Sequence, residues 1–333
     1  MSGIGYTLDS YESNNKSPFR PWIIIAVIVV LATIGLILLV RAIGSSDMED
    51  EDKKKKDEAK TEEVAPAVTA SKKTASAPRP LPADLTKEAS PRVLALLEAG
   101  QAAERKDDYF GARTNYLAAI SDKDCGKARP LLEERLAFVN IELIFTPRQM
   151  EGKIDHAILS GESVKLIANK FGTTVELIVK ANSITNPNRV QVGDRIRVLD
   201  HPKFEIHVSK TENDLLVTLN GQFFKRYKVG TGKYGKTPTG TFKIKDKIAE
   251  PPWWRPDGSV VPFGDKENIL GTRWMSIVAT GTTPPASGYG IHGTWDDSSL
   301  GTQSSAGCVR MNNGDVEELF TYVPCGTPVI ITE

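Results

Sequence analysis

The chain has 333 residues, too many for one small domain, so two or three folded units with connecting segments are expected. Lysine plus arginine and aspartate plus glutamate number 42 each, so the net charge does not favour nucleic acid as a partner. Three cysteines are too few for a disulfide framework, and an odd number leaves at least one thiol free. We expect Cys308 to be free, whereas Cys125 and Cys325 either pair or stay reduced.

The N-terminal part of the chain contains one uncharged apolar segment. Residues 1–21 are polar and aperiodic, which predicts a disordered tail. Residues 22–40 carry no charge and are rich in Ile, Val and Leu, and a helix of that length spans about 30 Å of hydrocarbon. Flanking arginines and a tryptophan at its start fit interfacial anchors. The length of the run and the lack of an A-x-A site favour an uncleaved single-span anchor over a cleaved signal peptide or a buried helix.

Residues 41–85 are predicted to be a disordered linker. A mixed charge run is followed by a segment rich in Ala, Pro, Thr, Ser and Lys. Both contain too few apolar residues to offset the entropy of the chain. An extended linker of this length would carry the folded units away from the membrane.

Residues 86–150 are predicted to be helical, because Leu, Ala, Ile and Tyr side chains recur near the helical period. A break is expected at Asp107–Tyr109 and a third helix from about 128 to 145. The first two helices resemble one tetratricopeptide repeat, which is a helix pair. Because one repeat lacks the neighbours that bury the faces of a solenoid, we expect a small helical hairpin that packs on the adjacent domain or on a protein partner.

Residues 154–200 have the caps that two short helices need. Ser163 is a candidate N-cap, Gly172 ends that helix, and Thr174 opens the next one. The segment 155–200, with its SGES, FGTT, NP and VGD motifs, resembles a LysM module. The resemblance implies a βααβ fold that binds the N-acetylglucosamine chains of peptidoglycan or chitin. A spacer that binds no ligand is the alternative.

Residues 203–333 carry mainly strand signals. Apolar and polar residues alternate from Phe204 onward, and Asn220-Gly221 between two such runs is a strong hairpin signal. A short helix is expected over 315–323. These features predict a mainly-β domain, either an all-β sandwich or a barrel-like sheet.

The stretch IHGTWDDSSLGTQSSAGCVRM, residues 291–311, brings together two scarce residue types. His292 is one of four histidines and Cys308 one of three cysteines, and the residues between them read as a loop. A cysteine attacks as its thiolate, which a nearby imidazole provides near neutral pH by taking the proton. Small residues before Cys308 let a substrate carbonyl approach backbone amides that stabilise an oxyanion. The alternative is a buried structural cysteine with an unrelated histidine.

Three motifs, in the same order, resemble the L,D-transpeptidase catalytic domain of the YkuD type. They are V-G-T-G at 229–232, T-P-T-G-T-F at 237–242, and H-G followed by S-x-G-C-V-R-M. The resemblance implies that Cys308 attacks the third, meso-diaminopimelate-like residue of a tetrapeptide stem, expels the terminal D-Ala and forms a thioester. It also implies that His292 acts as base and then as acid, and that the backbone carbonyl of Gly293 orients the imidazole.

The same resemblance, which covers about residues 204–333, implies substrate-binding roles near the cysteine. Backbone N–H groups at Gly307 and at the cysteine itself are the expected oxyanion donors. Ser305 matches the family's hydroxyl position, and Arg310 either binds a substrate carboxylate or forms a structural ion pair. Ala306 stands where the family often has His or a basic residue. Three tryptophans either line the cleft or pack in a core: Trp253, Trp254 and Trp295.

Neither a metal ion nor another cofactor is expected. The catalytic pair and the two acids between them, Asp296 and Asp297, lack C-x-x-C or H-x-x-x-H spacing. The two aspartates are expected to be solvated or to belong to a lid.

The sequence therefore predicts a membrane-anchored L,D-transpeptidase that transfers a peptidoglycan stem to an amine acceptor, in a 3–3 cross-link or in the attachment of a protein. An L,D-carboxypeptidase or hydrolase of the same fold and a non-enzymatic LysM scaffold on the wall are the alternatives. The nature of the acceptor and the oligomeric state stay open.

Charge and substrate location disagree about the orientation of the anchor. The lysines at 53–56 favour a cytoplasmic C-terminus by the positive-inside rule, although long domains translocate largely regardless of charge. Because the substrate implied by the resemblance lies outside the membrane, we expect the C-terminal domains to face the cell wall or periplasm.

Overall fold

A computed structural model describes residues 89–333, which form six helices and fourteen strands. The helices are α1 Pro91–Glu104, α2 Tyr109–Ile120, α3 Arg129–Ile144, α4 Val164–Lys170, α5 Val175–Ala181 and α6 Asn313–Tyr322. The strands are β1 Lys153–Ala157, β2 Arg195–Leu199, β3 Phe204–Ser209, β4 Asp214–Leu219, β5 Gln222–Lys228, β6 Thr231–Gly232, β7 Gly240–Ala249, β8 Trp253–Trp254, β9 Val260–Val261, β10 Arg273–Ala279, β11 Gly290–Thr294, β12 Gln303–Ser305, β13 Val309–Asn312 and β14 Pro328–Thr332. The tail, anchor and linker predicted for residues 1–85 lie outside the described residues. From 89 to 333, no helix is long and apolar enough to cross a membrane.

The first three helices form the small helical region that the sequence predicts. Ser90 caps α1 and Asp108 caps α2, each accepting a backbone N–H of the first turn, at 3.2 and 2.8 Å. Helices α1 and α2 approach closely at Gly100, where an added Cβ would lie 2.3 Å from the ring of the buried Tyr116. The break between these helices ends one residue earlier than expected, because Tyr109 is already helical.

Helix α3 lies against β5, which is the last strand of the large sheet. Phe224 of β5 sits where the register with β4 shifts, and its carbonyl accepts Nδ2 of the buried Asn140 at 2.9 Å. The buried Arg113 of α2 donates to Oδ1 of Asn140 at 3.0 Å and to Oε1 of Gln222 at 2.7 Å. The helical region therefore covers a sheet edge that would otherwise be open to pairing with another chain.

The LysM segment folds as a βααβ unit, with β1 antiparallel to β2 and with α4 and α5 between them. Ser163 and Thr174 cap the two helices as expected, accepting backbone N–H groups at 3.3 and 3.0 Å. His156 of β1 contacts Glu162 at 2.7 Å and lies edge-on to Phe171, with ring centroids 5.2 Å apart. These contacts connect β1 to the residues on either side of α4.

The LysM unit packs against the catalytic domain and against the end of α3. Leu177 of α5 is buried in the main core and not in the small core of the LysM unit. The hydroxyl of Thr174 donates to the carbonyl of Thr321 in α6. Lys153 of β1 donates to the carbonyl of Thr146, just beyond α3, at 2.6 Å. The three folded regions therefore share direct contacts.

Eight strands of the catalytic domain form one sheet in the order β13-β11-β10-β7-β14-β3-β4-β5. The pairs β11/β13 and β14/β3 are parallel, and the other neighbours are antiparallel. Asn220 and Gly221 form the β4–β5 turn with φ of 52° and 76°, as the Asn-Gly pair predicts.

The mainly-β prediction is confirmed, and the eight-stranded sheet is mixed, with two parallel pairs among antiparallel neighbours. The segment after β11 leads to β13, which runs parallel to β11, and α6 leads to β14, which runs parallel to β3. Side-chain alternation along a strand carries no information about the direction of its neighbour. The parallel pair β11/β13 is the one that builds the site.

Candidate active site

The histidine lies on β11, and the cysteine directly precedes β13, the strand parallel to it. In the β11/β13 register, His292 is the partner of Arg310. Cross-strand partners share a face, and side chains alternate along a strand, so Cys308, two residues before Arg310, projects to the same face as His292. Both side chains line one cavity of about 490 Å³. The parallel pairing thus brings together two residues that are sixteen positions apart.

His292 is 2% exposed and held from two sides. Its Nδ1 lies 2.6 Å from the carbonyl oxygen of Gly293. Because a carbonyl only accepts, Nδ1 carries the proton and Nε2 keeps the lone pair in the neutral ring. The ring of Trp274, the β10 partner of His292, lies with its centroid 5.6 Å away. Burial, together with the charge of Arg310, lowers the pKa of His292 to about 4, so the imidazole is neutral near pH 7.

Gly293 allows a close approach that no other residue would. An added Cβ would lie 2.1 Å from Oδ1 of Asn313, at the start of α6. That same oxygen accepts the backbone N–H of Thr272 at 3.1 Å. The H-G motif therefore brings the Gly293 backbone close to the Asn313 side chain, at the start of a helix.

Cys308 is partly buried, and its thiol has a weak partner in the Gly288 carbonyl, 3.6 Å from Sγ. Burial raises the pKa of the Cys308 thiol, although a backbone N–H of Gly290 and the charge of Arg310 act in the opposite direction. With the pKa of the thiol raised and that of His292 lowered, the resting pair is a neutral thiol and a neutral imidazole. Proton transfer must then accompany attack on a substrate.

The loop before the cysteine is braced by Ser305. The Ser305 hydroxyl is buried, donates to the carbonyl of Cys308 at 2.7 Å and accepts the N–H of Gly307 at 3.0 Å. The N–H groups of Gly307 and Cys308 are the two expected to stabilise an oxyanion. The N–H of Gly307 is already hydrogen-bonded to Ser305 within the loop. The N–H of Cys308 has no hydrogen-bond acceptor within residues 89–333. Ser305 therefore contacts the loop backbone, and the available donor belongs to the cysteine itself.

The V-G-T-G segment supports the strand that follows the cysteine. Gly230 and Arg310 exchange both backbone hydrogen bonds, at 2.9 and 2.8 Å. An added Cβ at Gly230 would lie 2.6 Å from the carbonyl oxygen of Ser299. The parallel bridge of β6 with β12 continues this contact. The residues between His292 and Cys308, expected to be a loop, thus include one short strand that ends at Ser305.

The cavity walls are mostly apolar, and two of the three expected tryptophans belong to them. Trp253 and Trp254 line the cavity together with Trp274, which the sequence analysis did not single out. Trp274 follows no motif, but its strand alternation places it on the face of His292. Trp295 does not line the cavity; it is 58% exposed and donates Nε1 to the carbonyl of Asn268 at 3.1 Å.

The positively charged Arg310 and the small Ala306 complete the walls. Among the described residues, no carboxylate lies within ion-pair distance of Arg310. Arg310 therefore forms no structural ion pair with any of the described residues. The site therefore offers one cation at the wall of a mostly apolar cavity.

The two acids between His292 and Cys308 have structural contacts. Asp296 accepts the N–H of Ser298 at 3.1 Å, and both carboxylate oxygens of Asp297 lie 3.0 Å from Nδ2 of Asn312. They hold the connection from β11 to β13. In the part of the chain from 89 to 333, no group of three His, Cys, Asp or Glu side chains could hold a metal ion. All three cysteines are free, with Cys125 buried and Cys325 exposed.

A thiol and a neutral imidazole in one cavity, beside an unpaired amide, are the groups that acyl transfer through a cysteine requires. The family profile of the L,D-transpeptidase catalytic domain matches residues 203–331, and that of the LysM domain matches residues 156–198. The fold and site thus define a LysM-containing acyltransferase.

Known relatives carry the L,D-transpeptidase name. YqjB of Bacillus subtilis is 41% identical over 38% of this chain and 69% of its own length, and YkuD of Bacillus licheniformis is 34% identical over 53% and 98%. A solved L,D-transpeptidase from Mycobacterium tuberculosis aligns with 43% of this chain and 64% of its own, at 18% identity and a TM-score of 0.33. The chain belongs to the L,D-transpeptidase family, and it is an acyltransferase of the cell-wall peptidoglycan.

Proposed function

We propose that this L,D-transpeptidase uses Cys308 as its nucleophile and His292 as its general base, with a tetrapeptide stem as the acyl donor. The observation that carries the proposal is the β11/β13 register, which directs both side chains into one cavity. The bond from His292 Nδ1 to Gly293 supports it, because it fixes the tautomer in which Nε2 carries the lone pair that takes the thiol proton.

In the first half-reaction, Nε2 of His292 takes the proton of the Cys308 thiol as Sγ attacks the carbonyl of the third stem residue. The oxyanion of the tetrahedral intermediate accepts the N–H of Cys308. Collapse breaks the amide bond to the terminal D-Ala, whose nitrogen takes the proton from His292. A thioester on Cys308 and free D-Ala are the products.

In the second half-reaction, an amine attacks the thioester and His292 takes its proton. Collapse of the second intermediate forms the new amide and returns that proton to Sγ, so the enzyme is regenerated. The indole rings of Trp253, Trp254 and Trp274 line the cavity in which the amine meets the thioester. A 3–3 cross-link is the product when the amine belongs to a second stem.

Arg310 is proposed to bind a carboxylate of the acyl donor. Its guanidinium lines the cavity without an acidic partner among the described residues. Tetrapeptide stems carry carboxylates, and a planar guanidinium binds a carboxylate through two hydrogen bonds. Stem recognition would then place the scissile carbonyl above Sγ.

The deciding experiment incubates the full-length protein with disaccharide tetrapeptides and follows products by mass spectrometry. Wild-type protein is expected to release D-Ala, to gain the mass of a thioester at Cys308 and to form tetrapeptide–tripeptide dimers. Cys308→Ala should give none of these, with Cys325→Ala as the matched control because its thiol is exposed and outside the cavity. Dimers formed by Cys308→Ala would contradict the proposal, and tripeptide alone from the wild type would favour the carboxypeptidase.

We also propose that the LysM unit holds glycan chains of the same polymer and that the C-terminal domains lie on the wall side of a membrane anchor. The LysM match and the peptidoglycan substrate support the first point. The wall-side orientation follows from the location of that substrate. The lysines at 53–56 favour the opposite orientation by the positive-inside rule. Protease protection in intact cells tests the wall-side orientation, and a protected C-terminus inside the cell would overturn it. A protein partner for the helical region stays a prediction. The packing of this region on β5 already accounts for its buried face.

A further inference from the structure

Thr237, the first residue of the T-P-T-G-T-F segment, connects two distant parts of the active site. It is 1% exposed. The N–H of Gly232 donates to its Oγ1 at 2.7 Å, and Oγ1 lies 2.9 Å from the carbonyl oxygen of Gly307. An amide N–H only donates and a carbonyl only accepts, so the hydroxyl proton points at Gly307. The hydroxyl therefore links V-G-T-G to the loop of the nucleophile.

The Gly307 backbone is closely surrounded. Its φ of +140° is one that glycine adopts without strain, and an added Cβ would lie 2.6 Å from the ring of Tyr289 and 3.2 Å from the carbonyl of Lys236. An added Cβ at Gly232 would in turn lie 2.9 Å from the Cα of Gly307. Little space surrounds the Gly307–Cys308 peptide, and within residues 89–333 its one hydrogen-bonding partner is the Thr237 hydroxyl, which sets its orientation.

Orientation of this peptide matters because of the group at its other end. A trans peptide is planar, and its carbonyl and N–H point in opposite directions. Holding the Gly307 carbonyl against Thr237 therefore aims the N–H of Cys308 the other way. That N–H is the unpaired donor of the loop, since the N–H of Gly307 is bound to Ser305.

We propose that Thr237 is a positioning residue for acyl transfer, which aims the Cys308 N–H at the oxyanion of the tetrahedral intermediate. The inference rests on the proposed role of Cys308 as nucleophile. It gives the T-P-T-G-T-F segment a part in the reaction, although Thr237 does not line the cavity. Its effect belongs to the transition state, where the negative charge on oxygen exists, and not to the resting thiol.

The test compares two reactions of the same thiol in the full-length protein. Acylation by a disaccharide tetrapeptide passes through an oxyanion, whereas alkylation by iodoacetamide displaces iodide and does not. Both are followed at the Cys308 peptide by mass spectrometry, which separates it from Cys125 and Cys325. In Thr237→Val, which keeps the shape but loses the hydroxyl, acylation should slow about 100-fold. Alkylation should keep the wild-type rate.

Matched variants separate this role from general packing. Thr237→Ser keeps the hydroxyl and should restore acylation close to the wild-type rate. Thr327→Val removes an equally buried hydroxyl, one that donates to Pro324 in a distant turn at 2.8 Å, and should acylate as wild type. If Thr237→Val does not fold, Thr237→Ala is judged by the same two rates.

Two results would overturn the inference: acylation of Thr237→Val at the wild-type rate, or an equal fall in acylation and alkylation. The second result would mean that the loop had simply lost its shape. Failure of the proposed function looks different, because wild-type protein would then show no tetrapeptide adduct on Cys308 at all.

Discussion

The two reactive residues are held in place by different means. His292 lies inside β11, between β10 and β13, where backbone ladders and packed side chains surround it. Cys308 lies just before β13, in a loop whose shape depends on the hydroxyls of Ser305 and Thr237. The position of the proposed base is thus a property of the sheet, while that of the proposed nucleophile depends on a few replaceable hydrogen bonds. Substitutions near His292 and substitutions near Cys308 should therefore have different effects on stability and activity.

Removal of the base is expected to have the largest effect. In His292→Gln an amide can still donate to Gly293, but no group accepts the thiol proton, so acylation should fall about 10³-fold, or about 4 kcal/mol in the barrier. Single-turnover acylation measured by intact mass gives this rate. His207→Gln, a half-exposed strand histidine beside Glu205, is the control and should react as wild type. Equal rates for the two variants would remove His292 from the mechanism.

The burial of the same histidine makes stability depend on pH. Its pKa is about 4 in the folded protein and 6.5 when unperturbed, so between these values the unfolded chain binds a proton that the folded chain does not. The free energy of unfolding should therefore decrease as pH falls from about 6.5 to about 4, by up to about 3 kcal/mol from this group. Below about pH 4 both states are protonated and its contribution is constant.

Urea unfolding of wild type and His292→Gln between about pH 4 and 6.5 measures the contribution of His292 to the free energy of unfolding. The difference in unfolding free energy between the two proteins should change in favour of the variant as pH falls through the window. Parallel curves would show that His292 is accessible to protons in the folded state, contrary to its burial.

A steric change on the histidine side should cost stability and activity together. Gly293→Ala places a methyl group 2.1 Å from Oδ1 of Asn313, so this side chain must move away and lose its hydrogen bond to the N–H of Thr272. We expect a loss of about 3 kcal/mol in the free energy of unfolding, measured by urea titration. Gly314→Ala is the control, because its nearest neighbour, a side-chain oxygen of Asn312, is 3.3 Å away and alanine suits a helix. Similar losses in both variants would contradict the close packing behind His292.

On the cysteine side, loss of one hydroxyl should reduce stability less. Ser305→Ala removes a buried group that bonds to Gly307 and to Cys308, which should lower the free energy of unfolding by about 2 kcal/mol. Acylation should also slow, because the loop that presents Sγ loses a brace. The exposed neighbour Ser304, changed to Ala, should leave stability and acylation unchanged. Unaltered acylation in Ser305→Ala would show that the loop keeps its shape without this hydroxyl.

The local elements were predictable where their signals are short-range. The caps Ser163 and Thr174 and the Asn220-Gly221 turn lie where the sequence places them, because each depends on residues within a few positions. The β12 strand and the lining role of Trp274 were not predictable from motifs. Both depend on partners in distant segments, β6 in one case and β11 in the other.

The loop before Cys308 shows that single hydrogen bonds between distant segments are equally unpredictable from the sequence. The motif around Gly307 suggests several small residues and two amides near the nucleophile. Only the fold shows that the Gly307 amide is taken by Ser305 and that its carbonyl is taken by Thr237, seventy positions earlier. Hydrogen-bond partners at that separation follow from packing and leave no periodic pattern in the sequence.

By itself, the sequence determined the chemistry: a scarce Cys308 and His292 within ordered motifs, on a mainly-β domain joined to LysM and helical regions. The tertiary structure decided the geometry. Parallel pairing of β11 with β13 turns both residues into one cavity, burial keeps His292 neutral, and α3 closes the β5 edge. The physical reason is that reactivity types are properties of side chains, whereas strand direction, burial and the aim of an N–H arise from contacts between segments far apart in the chain.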